Sequence, residues 1–514
     1  MAKVTLVRVP SLFAAGALTL TATPPIGIAY VAGTLRAGGH KVKVVDSIGE
    51  ALEFYYQFGT KNLYVNGYTM KQLLAAIPRD SEYIGVSLPF SNEWPLAKKV
   101  CFAIREEFPR AVIFCGGEHA TAVPEYCLTD CPAIDYCVIG EGEETALDLI
   151  NSLEAGRPAI EVGSIALRDE WGKAVKTLRR SRMLSIDDIP EPAWDLVPLE
   201  NYLAGGYSYG VNIGRTIPII ATRGCPYQCT FCSNPLMWTT RWLARTPAKV
   251  VEEMEFYIKE YGVQNFDFYD LTTVVKKDWI VEFCTMLVDQ GLNITWQLPS
   301  GTRSEALDSE VSALLYKSGC RHLTYAPESG SPETLKTIKK KINPDRMLDS
   351  MKAAIANQIN IKANIIVGFP GETFNNILST YKFIVRMAVT GVHDVSVWTF
   401  SAYPGSEIFH DLQKANRMPP FNDDYFISLL SYSDLRTVTS WNEYFSGWQL
   451  KYIRLFGLIS FYAASYISKP IRLVRSIRNI IQHKPESRME MIVEKAINRH
   501  KKSDSRPWED ILAE

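Results

Sequence analysis

The sequence lacks the features that define several large classes of protein. Its 55 Lys and Arg residues are balanced by 56 Asp and Glu, giving a formal net charge of −1, so no overall basic field would attract nucleic acid. It contains no low-complexity run and no fixed-period repeat. With 47% hydrophobic and 22% charged residues, the composition is that of a folded globular protein. Its 514 residues suffice for roughly three domains.

Uninterrupted hydrophobic runs are also missing. A membrane-spanning helix needs roughly 18 or more consecutive apolar residues, and a long, nearly uncharged stretch from Val9 to Leu35 is divided by Pro24 and Pro25. We interpret this stretch as a loop and a helix rather than a signal peptide or a membrane span. The 10 cysteines are irregularly spaced, which favours reduced thiols and a metal site over a secreted disulfide framework. We therefore expect a cytoplasmic protein that is not integral to a membrane.

Short apolar segments alternate with helical patterns over residues 1–155. Helical patterns cover Ile26 to Ala37, Leu96 to Glu107 and Glu144 to Leu153, and the first is ended by Gly38 and Gly39. This alternation predicts an α/β domain with a doubly wound, Rossmann-like parallel sheet. The strand-like segments are Lys3 to Val9, Lys41 to Val45, Tyr83 to Ser87, Val112 to Cys115 and Tyr136 to Ile139.

Small and polar residues follow three successive strands of this predicted sheet. Ligands of such sheets bind outside the carboxyl ends of the strands, where glycine lets a large flat ligand or a phosphate approach the backbone. A turn explains any single glycine pair there, but three clusters together favour a ligand site. The residues are Ser87, then Gly116, Gly117, Glu118 and His119, then Gly140, Glu141 and Gly142.

A second domain is predicted after a polar, broken segment at 156–213. Within that segment, Asp169 to Lys173 is typical of a hairpin turn, and the prolines of Ile189 to Asp195 favour an extended linker. Strand-then-helix units recur across 214–415, which predicts a partial (β/α)6 TIM barrel with its site at the carboxyl ends of the strands. The strand-like segments are Ile217 to Ala221, Phe266 to Tyr269, Thr295 to Leu298, His322 to Ala326, Ile361 to Val367 and Asp394 to Phe400.

Three cysteines directly follow the first predicted barrel strand. Cys225, Cys229 and Cys232 have the spacing Cys-x-x-x-Cys-x-x-Cys, so three thiolates can hold three irons of a 4Fe-4S cubane and leave the fourth iron open. The alternative is a structural zinc site. Zinc normally takes four protein ligands there, and the closest downstream candidates, Cys284 and His322, are far away in sequence. We therefore predict that these three cysteines bind a catalytic 4Fe-4S cluster.

The cysteine loop resembles that of the radical S-adenosylmethionine superfamily, including an aromatic residue, Phe231, before the last cysteine. The order of the domains resembles the cobalamin-dependent branch of that superfamily, over roughly residues 1–410. The sequence departs from this branch at Glu118, where proline is more usual, and at Ala326-Pro327, where Gly-Ile often precedes Glu-Ser-Gly. The segments that carry the resemblance are Thr222 to Ser233, Pro24 to Gly27, Gly116 to Thr121 and Gly140 to Glu143.

The resemblance implies a 4Fe-4S cluster, S-adenosylmethionine and cobalamin, in the methylcobalamin form. Arg303 and the segment Ala326 to Ser331 of this sequence match positions that, in the family, contact the carboxylate and ribose of S-adenosylmethionine. Asp267 and Asp270 match the place where the family binds its amino group. The alternatives are a surface salt bridge for Arg303 and solvated turn carboxylates for the two aspartates. The implied S-adenosylmethionine contacts are Phe231, Asp270, Arg303, Glu328, Ser329 and Gly368. The implied cobalamin contacts are Ser87, Gly116, Gly117, Glu118, His119, Gly140 and Glu141.

The N-terminal region carries no Asp-x-His-x-x-Gly motif, by which methionine synthase and the mutases supply a histidine to cobalt. His119 is the one histidine well placed at a strand end, and its neighbours do not fit that motif. We therefore predict that no histidine of this chain binds cobalt.

Residues 416–514 are predicted to form a helical region. The run from Tyr452 to Val474 is aromatic and aliphatic, is interrupted by Pro470, and carries basic residues within and around it. This pattern favours either a helix lying in a membrane interface or a helical cap packed on the barrel mouth. Elsewhere, Cys127, Cys131 and Cys137 raise the alternative of a second cluster, but Cys137 lies in an apolar strand. The basic residues are Lys451, Arg454, Lys469, Arg472, Arg475 and Arg478.

Together these features predict an enzyme that uses a 5′-deoxyadenosyl radical to activate a C–H bond and methylates an unactivated carbon of a hydrophobic small molecule. Within the family, a cyclase or carbon–carbon bond-forming enzyme acting on a porphyrin or a lipid stays open, because some members resemble the anaerobic magnesium-protoporphyrin ester cyclase. A cobalamin sensor or an iron–sulfur electron carrier is the alternative outside enzymology. The expected partners are the substrate and a flavodoxin- or ferredoxin-type electron donor, without nucleic acid. An interfacial C-terminal helix would add a peripheral contact with the inner face of the membrane.

Overall fold

The N-terminal part of the chain folds around a parallel sheet. The computed structural model describes residues 1–17, 22–59, 62–183, 185–302, 307–434 and 436–482, together with 487, 489, 490, 493 and 494. The strands of this part are β1 (Lys3–Arg8), β2 (Ser11–Ala14), β3 (Lys41–Asp46), β4 (Tyr55–Gln57), β5 (Leu63–Asn66), β6 (Tyr83–Ser87), β7 (Val112–Gly116), β8 (Tyr136–Val138), β9 (Ile165–Arg168) and β10 (Ala174–Lys176). Its helices are α1 (Ile26–Ala37), α2 (Met70–Ala76), α3 (Trp94–Glu107), α4 (Glu118–Ala122), α5 (Pro124–Asp130) and α6 (Gly142–Glu154).

The described strands form a sheet of order β10-β9-β8-β7-β6-β1-β3. The five strands from β3 to β8 in this order are parallel, and β9 and β10 add an antiparallel hairpin at one edge. The strands β1, β6 and β7 are buried along almost their whole length because helices cover both faces of the sheet. The predicted doubly wound sheet is confirmed, and the predicted hairpin extends it.

A small antiparallel sheet of order β2-β5-β4 was not predicted from the sequence. Its strands have only three or four residues, which is too short for an alternating pattern to stand out. Leu12, Tyr56 and Val65 form an apolar cluster with Leu96 and Leu430 beneath it. This accessory sheet lies beside the carboxyl end of β1. Its first strand, β2, falls within Val9 to Leu35, for which the sequence predicts only a loop and a helix, so that prediction was incomplete.

The second sheet is a partial barrel. Its described strands are all parallel and have the order β11-β14-β15-β16-β17-β18, which confirms the predicted (β/α)6 arrangement. The strands of this part are β11 (Thr216–Ile219), β12 (Thr222–Arg223), β13 (Leu243–Ala244), β14 (Asn265–Phe268), β15 (Thr295–Thr302), β16 (Cys320–Glu328), β17 (Asn360–Val367) and β18 (Asp394–Thr399). Its helices are α7 (Leu199–Gly205), α8 (Asn234–Trp238), α9 (Pro247–Tyr261), α10 (Lys277–Asp289), α11 (Ser309–Lys317), α12 (Pro332–Thr337), α13 (Pro344–Ala356), α14 (Phe374–Thr390), α15 (Glu407–Lys414) and α16 (Asp423–Ser428).

Two helices, α17 (Gly447–Ser468) and α18 (Ile471–Ile481), end the described part of the chain. Ser446 and Gln449 form a capping box at the start of α17, and Pro470 separates the two helices, as a residue without a backbone N–H should. α17 packs on α14 and β18, with Arg454 and Phe461 fully buried. The run from Tyr452 thus packs by one face on α14 and on the edge strand β18, rather than on the barrel mouth as the predicted cap would. Among the described helices, none has both the length and the apolar character needed to cross a bilayer.

Candidate active site

The three cysteines lie on an irregular loop between β12 and α8. Gly224, which begins this loop, has φ +84, and a Cβ there would lie 2.3 Å from the carbonyl oxygen of Arg241, so only glycine fits the turn. Cys225, Cys229 and Cys232 are partly exposed, whereas the other seven cysteines are buried. The loop therefore presents its thiols to a ligand.

The arrangement of these thiols suits a cluster better than a single ion. The described residues include no group of three His, Cys, Asp or Glu side chains placed to hold one metal ion. In a cubane each thiolate binds a different iron, so the sulfur atoms stand further apart than the ligands of one ion. Burial raises the pKa of the Cys232 thiol to about 12, so its ionisation requires a nearby positive charge such as iron.

Cys127, Cys131 and Cys137 are all buried. They belong to the apolar core beneath the N-terminal sheet. The sulfur of Cys137 lies 3.4 Å from that of Cys115 on the neighbouring strand. These side chains act as small apolar residues in that core.

Predicted S-adenosylmethionine contacts gather at the carboxyl ends of the barrel strands, on the side of the cysteine loop. Asp270 follows β14, Glu328 ends β16, Ser329 comes next, and Gly368 follows β17. Glu328 has φ +64, a strained conformation for a residue with a side chain. Its carboxylate accepts a hydrogen bond from Nζ of Lys340 at 3.0 Å. Arg303 lies outside the described residues.

Asp270 presents a buried acceptor with spare capacity. Its Oδ2 accepts from the backbone N–H of Ala221 at 3.3 Å, whereas its Oδ1 is buried and has no hydrogen-bond partner among the described residues. Burial raises the pKa of this carboxyl to about 7. A buried acceptor of this kind fits an N–H donor such as an amino group. The neighbouring Asp267 instead accepts from the backbone N–H of Gly210 through its Oδ2 at 2.9 Å.

A cavity of about 520 Å³ lies between the N-terminal sheet and the cysteine loop. Its walls come from the segments after β1, β6 and β7, from the accessory sheet, from the cysteine loop and from the segment after β18. Of the predicted contacts, Ser87, Glu118 and Phe231 line this cavity, whereas Gly140 and Glu141 line a smaller recess with Arg182 and Met237. The lining includes Arg8, Ser11, Phe13, Tyr55, Phe90, Glu93, Ser233, Tyr403, Leu430 and Tyr432.

The double glycine after β7 allows two loops to pack closely. Gly117 has φ +112, and a Cβ there would lie 2.6 Å from the carbonyl oxygen of Leu88. Gly116 ends β7. A Cβ there would lie 3.6 Å from Cβ of Val138, which is an ordinary van der Waals contact. Gly117 is therefore required by packing of the two strand-end loops, whether or not a ligand also lies there.

Glu118 and His119 follow this glycine pair and have different surroundings. Glu118 is buried, burial raises its pKa, and it accepts a hydrogen bond from the hydroxyl of Ser233, next to Cys232. His119 is fully buried, its Nδ1 lies 3.0 Å from the hydroxyl of Ser91, and its ring packs on Trp94 at 5.0 Å. Burial lowers the pKa of His119 to about 3. His119 is thus a neutral core residue, and it is not among the residues that line the cavity.

Three site residues were missed by sequence analysis. Glu93 lines the cavity, accepts from the hydroxyl of Ser11 at 2.7 Å, and has its pKa raised by burial to about 7. Arg223, just before Gly224, is buried against Glu143. In the sequence, the only feature that marks the last two residues is their place in the chain. Arg223 lies two residues before Cys225, and Glu143 follows the last glycine cluster.

Comparison with known proteins agrees with this geometry. The family model of the radical SAM superfamily matches residues 219–384, and that of the B12 binding domain matches residues 15–150. An uncharacterized methyltransferase of Pyrococcus horikoshii is 29% identical over 411 residues, covering 79% of this chain and 82% of the relative. The anaerobic magnesium-protoporphyrin IX monomethyl ester cyclase of Rubrivivax gelatinosus is 27% identical over 408 residues, covering 78% and 69%.

A solved structure shares the fold over both sheets. The radical S-adenosylmethionine methyltransferase TsrM from Kitasatospora setae, determined with cobalamin and a 4Fe-4S cluster bound, has a TM-score of 0.64 at 17% identity, over 81% of this chain and 78% of that one. A radical SAM domain implies a 4Fe-4S cluster and S-adenosylmethionine, and a B12 binding domain implies cobalamin. The partly exposed cysteines, the orphan acceptor of Asp270 and the cavity at the strand ends fit these groups. The chain therefore belongs to the radical S-adenosylmethionine superfamily, among the enzymes that also carry a cobalamin-binding domain.

Proposed function

We propose that the protein is a cobalamin-dependent radical S-adenosylmethionine methyltransferase that adds a methyl group to an unactivated carbon of a hydrophobic small molecule. The observation that carries the proposal is the cavity of about 520 Å³, which is bounded both by the cysteine loop and by the strand ends of the N-terminal sheet. In this proposal, residues 1–155 hold cobalamin and residues 214–415 hold the cluster and S-adenosylmethionine. Residues 156–213 tether the two, and helix α17 of the C-terminal region covers one edge of the barrel.

Each cofactor is assigned to residues of this chain. Cys225, Cys229 and Cys232 bind the cluster. When bound, the cluster supplies the electron that cleaves S-adenosylmethionine to methionine and a 5′-deoxyadenosyl radical, and cobalamin supplies the methyl group. The residues assigned to S-adenosylmethionine are Phe231, Asp270, Arg303, Glu328, Ser329 and Gly368. Those assigned to cobalamin are Ser87, Gly116, Gly117, Glu118, Gly140 and Glu141, whereas the predicted contact His119 is a buried core residue and is not assigned to cobalamin.

Apolar side chains form the part of the cavity wall that adjoins the cysteine loop, and polar side chains such as Arg8 and Glu93 line the rest. Phe231 packs on Phe369 at 5.6 Å between ring centroids, and Phe369 packs on Phe400 at 5.2 Å. Tyr403 and Leu430 line the same cavity. An apolar wall beside the cluster protects a radical from side reactions and accepts an apolar part of a substrate. These walls support a hydrophobic substrate class.

A cyclase or carbon–carbon bond-forming enzyme is the second candidate, because a magnesium-protoporphyrin ester cyclase is among the relatives. S-adenosylmethionine with a trideuterated methyl group separates the two reactions. We expect the reduced, reconstituted enzyme to release 5′-deoxyadenosine. We also expect it to transfer three deuterium atoms together, as one methyl group, into a lipid or porphyrin product. Deuterium-free product would favour the cyclase, and a protein that releases no 5′-deoxyadenosine would be a sensor or an electron carrier.

We also propose that the outer face of the C-terminal helices rests on an anionic membrane surface. Large apolar side chains are exposed on three helices that pack together, among them Trp448 (67%) and Ile459 (64%) on α17, Val389 (54%) on α14 and Ile471 (79%) on α18. On α18 the basic residues at 472, 475 and 478 alternate with apolar residues at 471, 474 and 477. Apolar and basic residues side by side suit anionic lipid better than a second protein. The substrate would then reach the barrel from the membrane side.

Vesicle binding tests this surface. Arg472 is unsuitable for substitution because its guanidinium donates to the carbonyl oxygens of Gly391 and Val392. Arg475 and Arg478 are exposed, and each basic residue near an anionic surface contributes about 1 kcal/mol. We expect Arg475→Glu with Arg478→Glu to weaken co-sedimentation with anionic vesicles at low salt by about 2 kcal/mol or more, roughly 30-fold.

The matched control changes the same charge elsewhere. Lys41 and Lys43 are exposed on β3, at the far edge of the N-terminal sheet, so Lys41→Glu with Lys43→Glu should bind vesicles as the wild type does. High salt should weaken wild-type binding, since exposed charges are screened. Wild-type protein that ignores anionic vesicles at low salt, or that forms dimers through this face, would contradict the membrane proposal.

A further inference from the structure

One guanidinium joins the cysteine loop to the N-terminal sheet. Arg223 ends β12 and directly precedes Gly224 and Cys225. Its side chain is only 4% exposed, and its Nη2 donates to Oε1 of Glu143 at 2.5 Å. Glu143 lies in the first turn of α6, which follows β8, where a negative charge is favourable. This ion pair therefore spans the two sheets.

Two aromatic rings and a second carboxylate enclose the same guanidinium. Its central carbon lies 5.3 Å from the ring centroid of Tyr30 on α1 and 5.4 Å from that of Trp238 on α8. Its Nη1 lies 3.7 Å from Oε1 of Glu141. Cation–π attraction and ion pairing are both stronger where water is excluded. Arg223 is thus held between elements of both sheets from several sides.

A second arginine completes this buried charge cluster. Nε and Nη2 of Arg182 lie 3.2 Å and 3.3 Å from the carboxylate oxygens of Glu141. Its Nη1 donates to the carbonyl oxygens of Trp238 and Arg241, each at 2.6 Å, and these residues follow the cysteine loop. The side chains of Arg182 and Glu141 are 8% and 10% exposed. Two positive and two negative groups therefore balance one another between the loops.

A buried ion pair adds little net stability over apolar packing, but it demands a strict geometry, because a displaced partner leaves an uncompensated charge in the interior. The two loops that this cluster connects are the loop that carries Cys225 and the segment from Gly140 to Glu143. The first holds the iron–sulfur cluster, and the second belongs to the strand ends assigned to cobalamin. The buried charge cluster therefore fixes how these two loops sit against each other, and the hydrogen bond between Ser233 and Glu118 is a second link between the cysteine loop and the N-terminal strand ends.

We propose that Arg223 is a positioning residue that sets the distance between the iron–sulfur cluster and the cobalamin, through its ion pairs with Glu143 and Glu141. The proposal rests on the cofactor assignment of the proposed function, but not on the substrate. It requires no contact between Arg223 and either cofactor. Loss of the pair should leave both cofactors bound and make their separation variable.

The test compares Arg223→Gln, Glu143→Gln and the double variant with the wild type. Arg180→Gln is the matched control, since Arg180 pairs with Asp148 at 2.8 Å and Glu144 at 3.5 Å on the same helix α6 but has no recorded contact with the cysteine loop. Iron content and cobalamin absorbance come first, in anaerobically reconstituted protein. The main readout is the relaxation enhancement of the cob(II)alamin paramagnetic resonance signal by the reduced cluster, which depends steeply on their distance. Hydrogen exchange of residues 139–144 and 222–232 in cofactor-free protein is the second readout.

We expect both single variants to weaken and broaden the relaxation enhancement and to speed exchange in the two loops by about tenfold, by opening them locally. The double variant should resemble the single variants, since each already breaks the same pair. Arg180→Gln should change neither the relaxation enhancement nor the exchange of residues 222–232. Unchanged relaxation enhancement in variants that are merely less stable would reduce Arg223 to a structural role and overturn the proposal. A wild type that binds iron but no cobalamin would overturn the cofactor assignment as well, whereas failed methyl transfer with normal relaxation enhancement would contradict only the proposed function.

Discussion

Replacing Cys225, Cys229 and Cys232 by alanine together is expected to give a folded protein that holds no iron–sulfur cluster and releases no 5′-deoxyadenosine. The three thiols lie on a partly exposed loop and are not part of the apolar core of either sheet, so their removal should leave both sheets folded. Wild-type protein reconstituted anaerobically should contain about four iron atoms and four sulfides per chain. Iron and sulfide analysis, with 5′-deoxyadenosine measured after reduction in the presence of S-adenosylmethionine, checks the prediction.

The matched control is the corresponding change in the N-terminal core. Cys127, Cys131 and Cys137 are buried, and single alanine substitutions there should lower stability while the iron content stays at the wild-type level. The triple alanine variant of the loop should also keep its cobalamin, because none of the three thiols belongs to the N-terminal sheet. A loop variant that retains about four irons would place the cluster elsewhere, and the buried cysteines would become the first suspects.

Asp270→Asn is expected to weaken the binding of S-adenosylmethionine by about 10- to 100-fold at pH 8, which is the worth of a hydrogen bond to a charged group. Burial raises the pKa of the Asp270 carboxyl to about 7, so the free protein binds a proton there below that pH. Since the ionised form accepts from the amino group, the Kd of the wild type should rise about tenfold for each pH unit below 7 and stay constant above it. The Kd of the variant should be nearly independent of pH. Equilibrium dialysis with labelled S-adenosylmethionine measures both slopes.

The raised pKa of Asp270 also affects the stability of the folded protein. Binding of S-adenosylmethionine should strengthen as the pH rises towards 7, whereas the stability of the cofactor-free protein should fall. A carboxyl whose pKa is higher in the folded state than in the unfolded state costs no stability below its unfolded pKa, and its cost grows as the pH rises towards 7. Asp270→Asn should therefore make the cofactor-free protein more stable than the wild type at pH 8 and not at pH 4. Glu253→Gln is the control, since Glu253 is a buried carboxylate of α9 that pairs with Arg245. Glu93, whose pKa burial also raises to about 7, should keep part of the pH slope in every variant. A slope that is as steep in Asp270→Asn as in the wild type, or that falls equally in Glu253→Gln, would assign this contribution to another group.

Much of the fold was readable from the sequence because its information is local. A strand followed by glycine and then a helix repeats along both halves of the chain, and parallel sheets require such alternation. The spacing of Cys225, Cys229 and Cys232 is likewise set within eight residues of one loop. By contrast, the accessory sheet joins Ser11–Ala14 to Leu63–Asn66. Strands that short have no pattern of their own, and only pairing over a distance in sequence defines them.

The site residues divide in the same way. Sequence analysis assigned Glu118 and Glu141 to cobalamin because they follow glycines at strand ends, yet their carboxylates meet Ser233 and the guanidinium of Arg182. Those contacts join residues 115 and 41 positions apart, and no local pattern specifies such a pairing. The backbone position of a strand-end residue is predictable, while the partner of its side chain depends on which other element folds against it.

The sequence alone therefore determined the two α/β sheets, the cysteine loop and the family, since strand–helix alternation and ligand spacing are short-range properties of the chain. Only the tertiary structure decided what lies between the sheets. It buried Arg223 against Glu143, placed Glu93 in the wall of the cavity, and packed α17 on the barrel while leaving an apolar face outside. The physical reason is that buried charges and exposed apolar faces are defined by their neighbours in space, and these neighbours lie on other elements that are distant in sequence.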